Sequence, residues 1–248
     1  MSKYYELIHG TTMREQAFPG HNPAQSVFPT SGEVREVSEQ PAREVTLGLV
    51  QRIFLQPSQP PPHMVVFAAI DHGDGCSQIA AWAAESLAAS ARKASVCLVD
   101  ANFRSPALPM ILGTTNYYGL TDALSEQCGI RYFVKRVCNE TVWLLSSGPV
   151  AAASPNLLST ERMRERCTEL RREFDFVIID APPLARYADA IPLAKLSDGV
   201  VLVLAAESTR REAARMAVLN LRAERIQVLG AVLNKRTYPI PEKLYHRL

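Results

Sequence analysis

Three short stretches carry the groups in this chain that could act together. The first is AAIDHGDGCSQIA, residues 68–80, which follows an apolar run and leads into an alanine-rich segment with helical spacing. Gly73 and Gly75 permit turns that aim backbone N–H groups inward, and a helix start behind such a turn attracts anions. Ser77 stands at that helix start. The second stretch is CLVDANFRSP, 97–106, with Asp100 and Arg104, and the third is FVIIDAPP, 176–183, with Asp180 after four apolar residues. Two carboxylates at strand ends and a hydroxyl at a helix start suit one hydrated Mg²⁺. Each part has a plainer reading alone: D-x-G-D-G is common turn chemistry, and an Asp ending a strand is often a cap. The three in this order are far more specific than any one of them.

Reading the phosphate-loop pattern G-x-x-x-x-G-K-[ST] onto the first stretch gives Ile70, Gly75, Cys76 and Ser77. The lysine that would address phosphate oxygens is a cysteine. A helix-start cysteine can be a reactive thiolate. A small residue filling the lysine's space is the preferred reading, because no resolving cysteine is near in sequence. His72 reads as an exposed turn residue. Arg210, Arg211, Arg215, Arg222 and Arg225 lie on one predicted helix. Without interleaved aromatics they read as a solvated face rather than a nucleic-acid patch.

These groups need elements to hold them. From residue 64 apolar runs at 64–70, 95–101, 141–147, 174–181, 199–206 and 228–234 alternate with helical segments near 77–92, 119–126, 157–173, 187–196 and 209–224. Continuous apolar strands separated by helices predict a doubly wound α/β domain with a mostly parallel sheet. Ligands in such folds sit beyond the carboxyl ends of the strands, where all three stretches fall. Residues 1–42, rich in Gly, Pro, Ser, Gln and Glu, read as a largely flexible arm. Residues 43–62 read as an amphipathic helix with apolar positions 45, 49, 50, 53 and 54, then a proline-rich connector. That helix is expected to dock on a membrane protein. The α/β domain then covers 63–236, and 237–248 form a tail.

The 248 residues carry a formal charge of +2, which gives no reason to expect nucleic acid. Five scattered cysteines without a C-x-x-C pair suit reduced thiols, and the histidines lack metal-ligand spacing. No apolar run approaches the roughly 20 residues of a membrane span, and the first residues lack a signal-peptide core. The expected location is cytoplasmic, peripheral at the inner membrane through a partner.

HGDGCS, LVDANFRSP, GLTDAL, LLSTERM, DFVIIDAPP and GAVLN occur in this order. From about residue 44 to 236 they resemble the bacterial P-loop tyrosine kinases of the CpsD/CapB type, a branch of the MinD/ParA superfamily that serves exopolysaccharide and capsule synthesis. The resemblance implies a P-loop NTPase-like fold and binding of ATP and Mg²⁺. It implies a nucleotide site at Gly73, Gly75, Cys76, Ser77, Arg104 and Asn234, with Asn234 reading the base. The metal would rest on Ser77, Asp100 and Asp180, and Asp100 and Asp180 would be the catalytic groups of an active enzyme. Tyr238 and Tyr245 would be the phosphoacceptors. The implied partners are a Wzz-like membrane copolymerase or chain-length protein and a second copy of the chain. Several family features are missing. Cys76 replaces the loop lysine, and Asp71 stands where the superfamily's alternative signature lysine would fall. Asn102 replaces the second acid of D-x-D. Leu47 and Val50 replace both arginines of an assembly motif that retains Glu44. The expectation is therefore a degenerate, pseudokinase-like adaptor with weakened ATP binding. An active autokinase or ATPase and a MinD/ParA-like positioning ATPase are the alternatives.

Overall fold

Residues 40–56, 60–91, 94–138, 140–149, 157–187 and 189–236 are described by a computed structural model. The arm before residue 40, the tail with Tyr238 and Tyr245, and residues 57–59 of the proline-rich connector lie outside the described residues. The strands are β1 (Met64–Ala69), β2 (Val96–Asp100), β3 (Lys135–Val137), β4 (Val142–Leu145), β5 (Phe176–Ala181), β6 (Gly199–Ala205) and β7 (Val228–Asn234). They form one sheet in the order β3-β4-β2-β5-β1-β6-β7, parallel except for β3 against β4.

β1 is buried along its whole length because both of its faces are covered. Val65, Phe67 and Ala69 point into one apolar cluster, and Met64, Val66 and Ala68 into the other, as the two-residue period of a strand dictates. The first cluster lies under α1 (Gln40–Phe54), α2 (Cys76–Ser90) and the single turn α3 (Leu108–Ile111). The second lies under α4 (Leu120–Ser125), α5 (Glu161–Glu173), α6 (Ala190–Leu196) and α7 (Arg211–Ala223). Helices on both faces of a parallel sheet make the doubly wound fold read from the sequence.

Differences from the sequence reading have physical reasons. β3 and α3 are too short for periodicity to register, and two of the three residues of β3 are charged. α6 starts at Ala190 rather than 187, because Pro182–Pro183 open a turn that stays on the sheet. Leu184 N–H donates to Ala69 O at 2.9 Å and Ala185 N–H to Ile70 O at 3.0 Å. The apolar face of α1 serves this chain's own core rather than a free docking surface. Val50 and Phe54 are buried, Phe54 meets Phe176 edge-to-face at 5.7 Å, and Leu49 and Ile53 pack beside them. Val45, expected on that face, is exposed, and Thr46 is buried instead with its hydroxyl on Ala42 O at 2.8 Å.

α5 is fastened by a fully buried arginine. Thr160 caps the helix, accepting from Met163 N–H at 3.3 Å. Arg166 then donates to Ala123 O and Glu126 O, carbonyls of α4 and its C-terminal end, and to Glu169, each at 2.7 Å. Removing the guanidinium strands buried carbonyls and leaves a cavity. Arg166→Ala is expected to cost about 3 kcal/mol in urea unfolding. An exposed control, Arg164→Ala, is expected to change stability by under about 0.5 kcal/mol.

Candidate functional site

The loop after β1 closes on its own acids. Gly73 and Gly75 have φ of +87° and +86°, the left-handed region. Asp74 is buried; its Oδ2 accepts the Asp71 N–H at 2.9 Å and the Thr209 hydroxyl at 3.3 Å. Asp74 O accepts the Asn234 side-chain amide at 2.9 Å, so the end of β7 is tied to the loop. The contact needs glycine next door: a Cβ on Gly75 would lie 2.3 Å from Asn234 Nδ2. Gly75 precedes the first residue of α2 and no side chain caps that helix. The N–H groups of its first turn have no intrahelical acceptor.

Ser77 Oγ donates to Asp180 Oδ2 at 2.5 Å. The other oxygen of Asp180, Oδ1, is buried and has no hydrogen-bond partner. Asp100 and Asp180 stand opposite one another in the β2–β5 register. Asp100 accepts the Asn102 and Leu108 N–H groups, both at 3.2 Å. Burial raises the Asp100 carboxyl well above the usual carboxylate range, and the Asp180 charge adds to the rise. Burial likewise raises Asp180 to about 6, opposed by the Ser77 hydroxyl. Cys76 is buried beside them. Its thiol is raised well above the usual thiol value, first by burial and then by the Asp180 charge, so it is neutral. These oxygens fit Mg²⁺, which takes one or two carboxylates and completes its shell with water and phosphate. The orphaned Asp180 Oδ1 is the observation that favours a cation there. Among the described residues no three His, Cys, Asp or Glu side chains form a metal cluster by themselves.

Two arginines near the loop are already engaged. Arg104, expected in the nucleotide site, donates to Asp189 Oδ2 from Nη2 at 3.0 Å and Nε at 3.2 Å, and lies over the Tyr187 ring. Asn102, in the place of an acid, builds the turn that carries Arg104, accepting the Ser105 N–H at 3.3 Å. Arg186, not singled out from the sequence, pairs with Asp71. Asp74 and Thr209 were also missed; nothing local distinguishes them, since their roles come from contacts made only in the fold. His72 is exposed, as its turn position predicts.

No protein-family profile matches the chain. The tyrosine-protein kinase YwqD of Bacillus subtilis is 33% identical over 162 residues, 65% of this chain and 68% of that protein. The chain belongs to the bacterial tyrosine-protein kinase family. The kinase domain of VpsO superposes on this bacterial tyrosine-kinase-family chain with a TM-score of 0.74 and 26% identity, covering 80% of this chain and 96% of that one. The septum site-determining protein MinD of Pyrococcus horikoshii, solved with Mg-ADP, shares the fold at a TM-score of 0.58 and 20% identity over 75% and 76% of the two chains. The kinase-family sheet is thus a MinD/ParA-type P-loop fold. No helix among the described residues is long and apolar enough to cross a membrane.

The buried acids set a pH dependence. A carboxyl whose folded value is raised holds its proton longer in the folded chain than in the unfolded one. Its stabilising contribution is full below the ordinary value of 3.8 and is lost as pH rises through about 6. In the presence of a chelator, Asp180→Asn should gain on the wild type by about 2 kcal/mol between pH 4 and 7. Urea unfolding at several pH values measures the gap; a constant gap would contradict the burial argument.

Proposed function

We propose that this chain is a degenerate member of its kinase family that binds Mg²⁺-nucleotide weakly and acts as a regulatory or adaptor partner in exopolysaccharide or capsule synthesis and export. The observation that carries the reading is Cys76. The position that should point a cation at the terminal phosphates holds a buried, neutral thiol. Phosphoryl transfer of this kind is catalysed chiefly by positioning and by charge on the phosphate oxygens. A thiol offers neither charge nor a strong donor. Asn102, where the family has an acid, cannot accept a hydroxyl proton as a base.

The proposed site residues keep separate duties. Gly73 and Gly75 shape the cradle, and the first turn of α2 offers N–H groups to phosphate. Ser77, Asp100 and Asp180 would hold Mg²⁺, which, when bound, neutralises phosphate charge. Asn234 would read the base. The proposed partner is a Wzz-like membrane copolymerase or chain-length protein, which would bring the chain to the cytoplasmic face of the membrane. A second copy of the chain is a further partner. No nucleic acid is proposed.

One observation favours a rival reading, an active tyrosine autokinase or ATPase: Ser77 donates to Asp180, and Asp100 stands opposite Asp180 in the strand register, which supports a shared metal. Mass spectrometry of the full chain after incubation with ATP and Mg²⁺ separates the two. No phosphotyrosine is expected. Phosphate on Tyr238 or Tyr245 that vanishes in Asp180→Ala would overturn the adaptor reading. The missing cation gives a second check. Cys76→Lys should raise ATP affinity about ten- to hundredfold, with a smaller gain for AMP and a requirement for Mg²⁺. Calorimetric titration of both proteins reads this directly.

A further inference from the structure

The loop lacks its own lysine, and two arginines nearby are each held by a carboxylate, Arg104 by Asp189 and Arg186 by Asp71. Each such pair presents little net charge to an anion. A third cation stands on the other side. Lys235 follows the last residue of β7 directly, is exposed, and has no carboxylate partner among the described residues. Its side chain lies against the loop: a Cβ built on Gly75 would be 4.0 Å from Lys235 Cε. The ammonium is one bond beyond that carbon. Gly75 is the residue before α2, whose first-turn N–H groups are uncapped. Ser77, in that first turn, donates to Asp180 of β5, whose other oxygen, Oδ1, is buried and has no hydrogen-bond partner. An uncapped helix start and an uncommitted ammonium therefore both adjoin Gly75.

We propose that Lys235 is the cation of this nucleotide site, contacting the phosphates of a nucleoside diphosphate seated at the first turn of α2 from the β7 side. The assignment rests on reading the loop as a nucleotide site. It changes what the loss of the loop lysine means. The charge approaches from the strand that carries Asn234, so one segment, Asn234–Lys235, would hold both base and phosphate. This binds nucleotide without placing a cation where the lysine at position 76 would act in transfer.

Calorimetric titration of the full chain with Mg-ADP and with adenosine tests the assignment, using wild type, Lys235→Ala, Lys235→Arg and Cys76→Lys. Lys235→Ala is expected to weaken Mg-ADP binding about ten- to hundredfold and to leave adenosine binding unchanged. Lys235→Arg should retain most of the affinity. Lys235 is exposed, so thermal melting of the alanine variant should match the wild type. Equal Mg-ADP affinity in wild type and Lys235→Ala would overturn the assignment and leave the loop as a nucleotide site. An equal loss for ADP and adenosine would also overturn it, by placing the contact on base or sugar. Binding by Cys76→Lys but not by wild type would show a competent cradle that Lys235 does not serve. Binding by neither would remove the nucleotide reading itself, and the assignment with it.

Discussion

Asp180 Oδ2 accepts the Ser77 hydroxyl while Oδ1, on the same fully buried side chain, has no hydrogen-bond partner. Holding a carboxylate half-satisfied at the centre of a sheet is unfavourable, and a second acid across the register makes it more so. The surrounding structure has to be stable enough to impose it. The two apolar layers supply that stability. β1, β2 and β5, which bring the loop, Asp100 and Asp180 together, are almost wholly buried along their lengths. Strain of this kind at strand ends is characteristic of ligand sites.

The loop answers the same constraint differently on its two sides. Toward the core, Cys76 offers a neutral thiol, so it brings no positive charge to the buried acids. Within the loop, half-buried Asp71 and buried Asp74 turn their oxygens onto the loop's own N–H groups and onto Arg186 and Thr209. The backbone shape of a phosphate cradle is thereby kept by internal hydrogen bonds.

The sheet, and the strand ends that carry the candidate site, were legible where the signal is local. Val-, Ile- and Leu-rich runs ending in Asp100, Asp180 and Asn234 announce buried parallel strands and place their last polar residue at the ligand edge. Gly75 and Ser77 announce the turn and the helix start. What escaped depends on distance along the chain. Arg104 meets Asp189 across 85 residues, Arg186 meets Asp71 across 115, and Asn234 meets Asp74 across 160. No pattern within a window predicts which charge finds which partner. The α1 helix shows the same limit. Its apolar stripe was readable, but the surface that covers it, the β7 side of the sheet and α2, was not, because amphipathicity says only that some surface must.

The amide of Asn234 gives one N–H to Asp74 O, inside the loop itself. A ligand that takes that same N–H, rather than the amide's second N–H or its oxygen, draws it away from the loop and exchanges one hydrogen bond for another of similar strength. The net gain from the exchange is small, and the loop loses a strut in the process. Thermodynamic reciprocity runs the other way as well: whatever steadies the clasp between loop and strand resists the ligand, and whatever loosens it helps. The last strand and the first loop of the sheet therefore share a single equilibrium, and the residues that follow β7 are attached to one of its two ends.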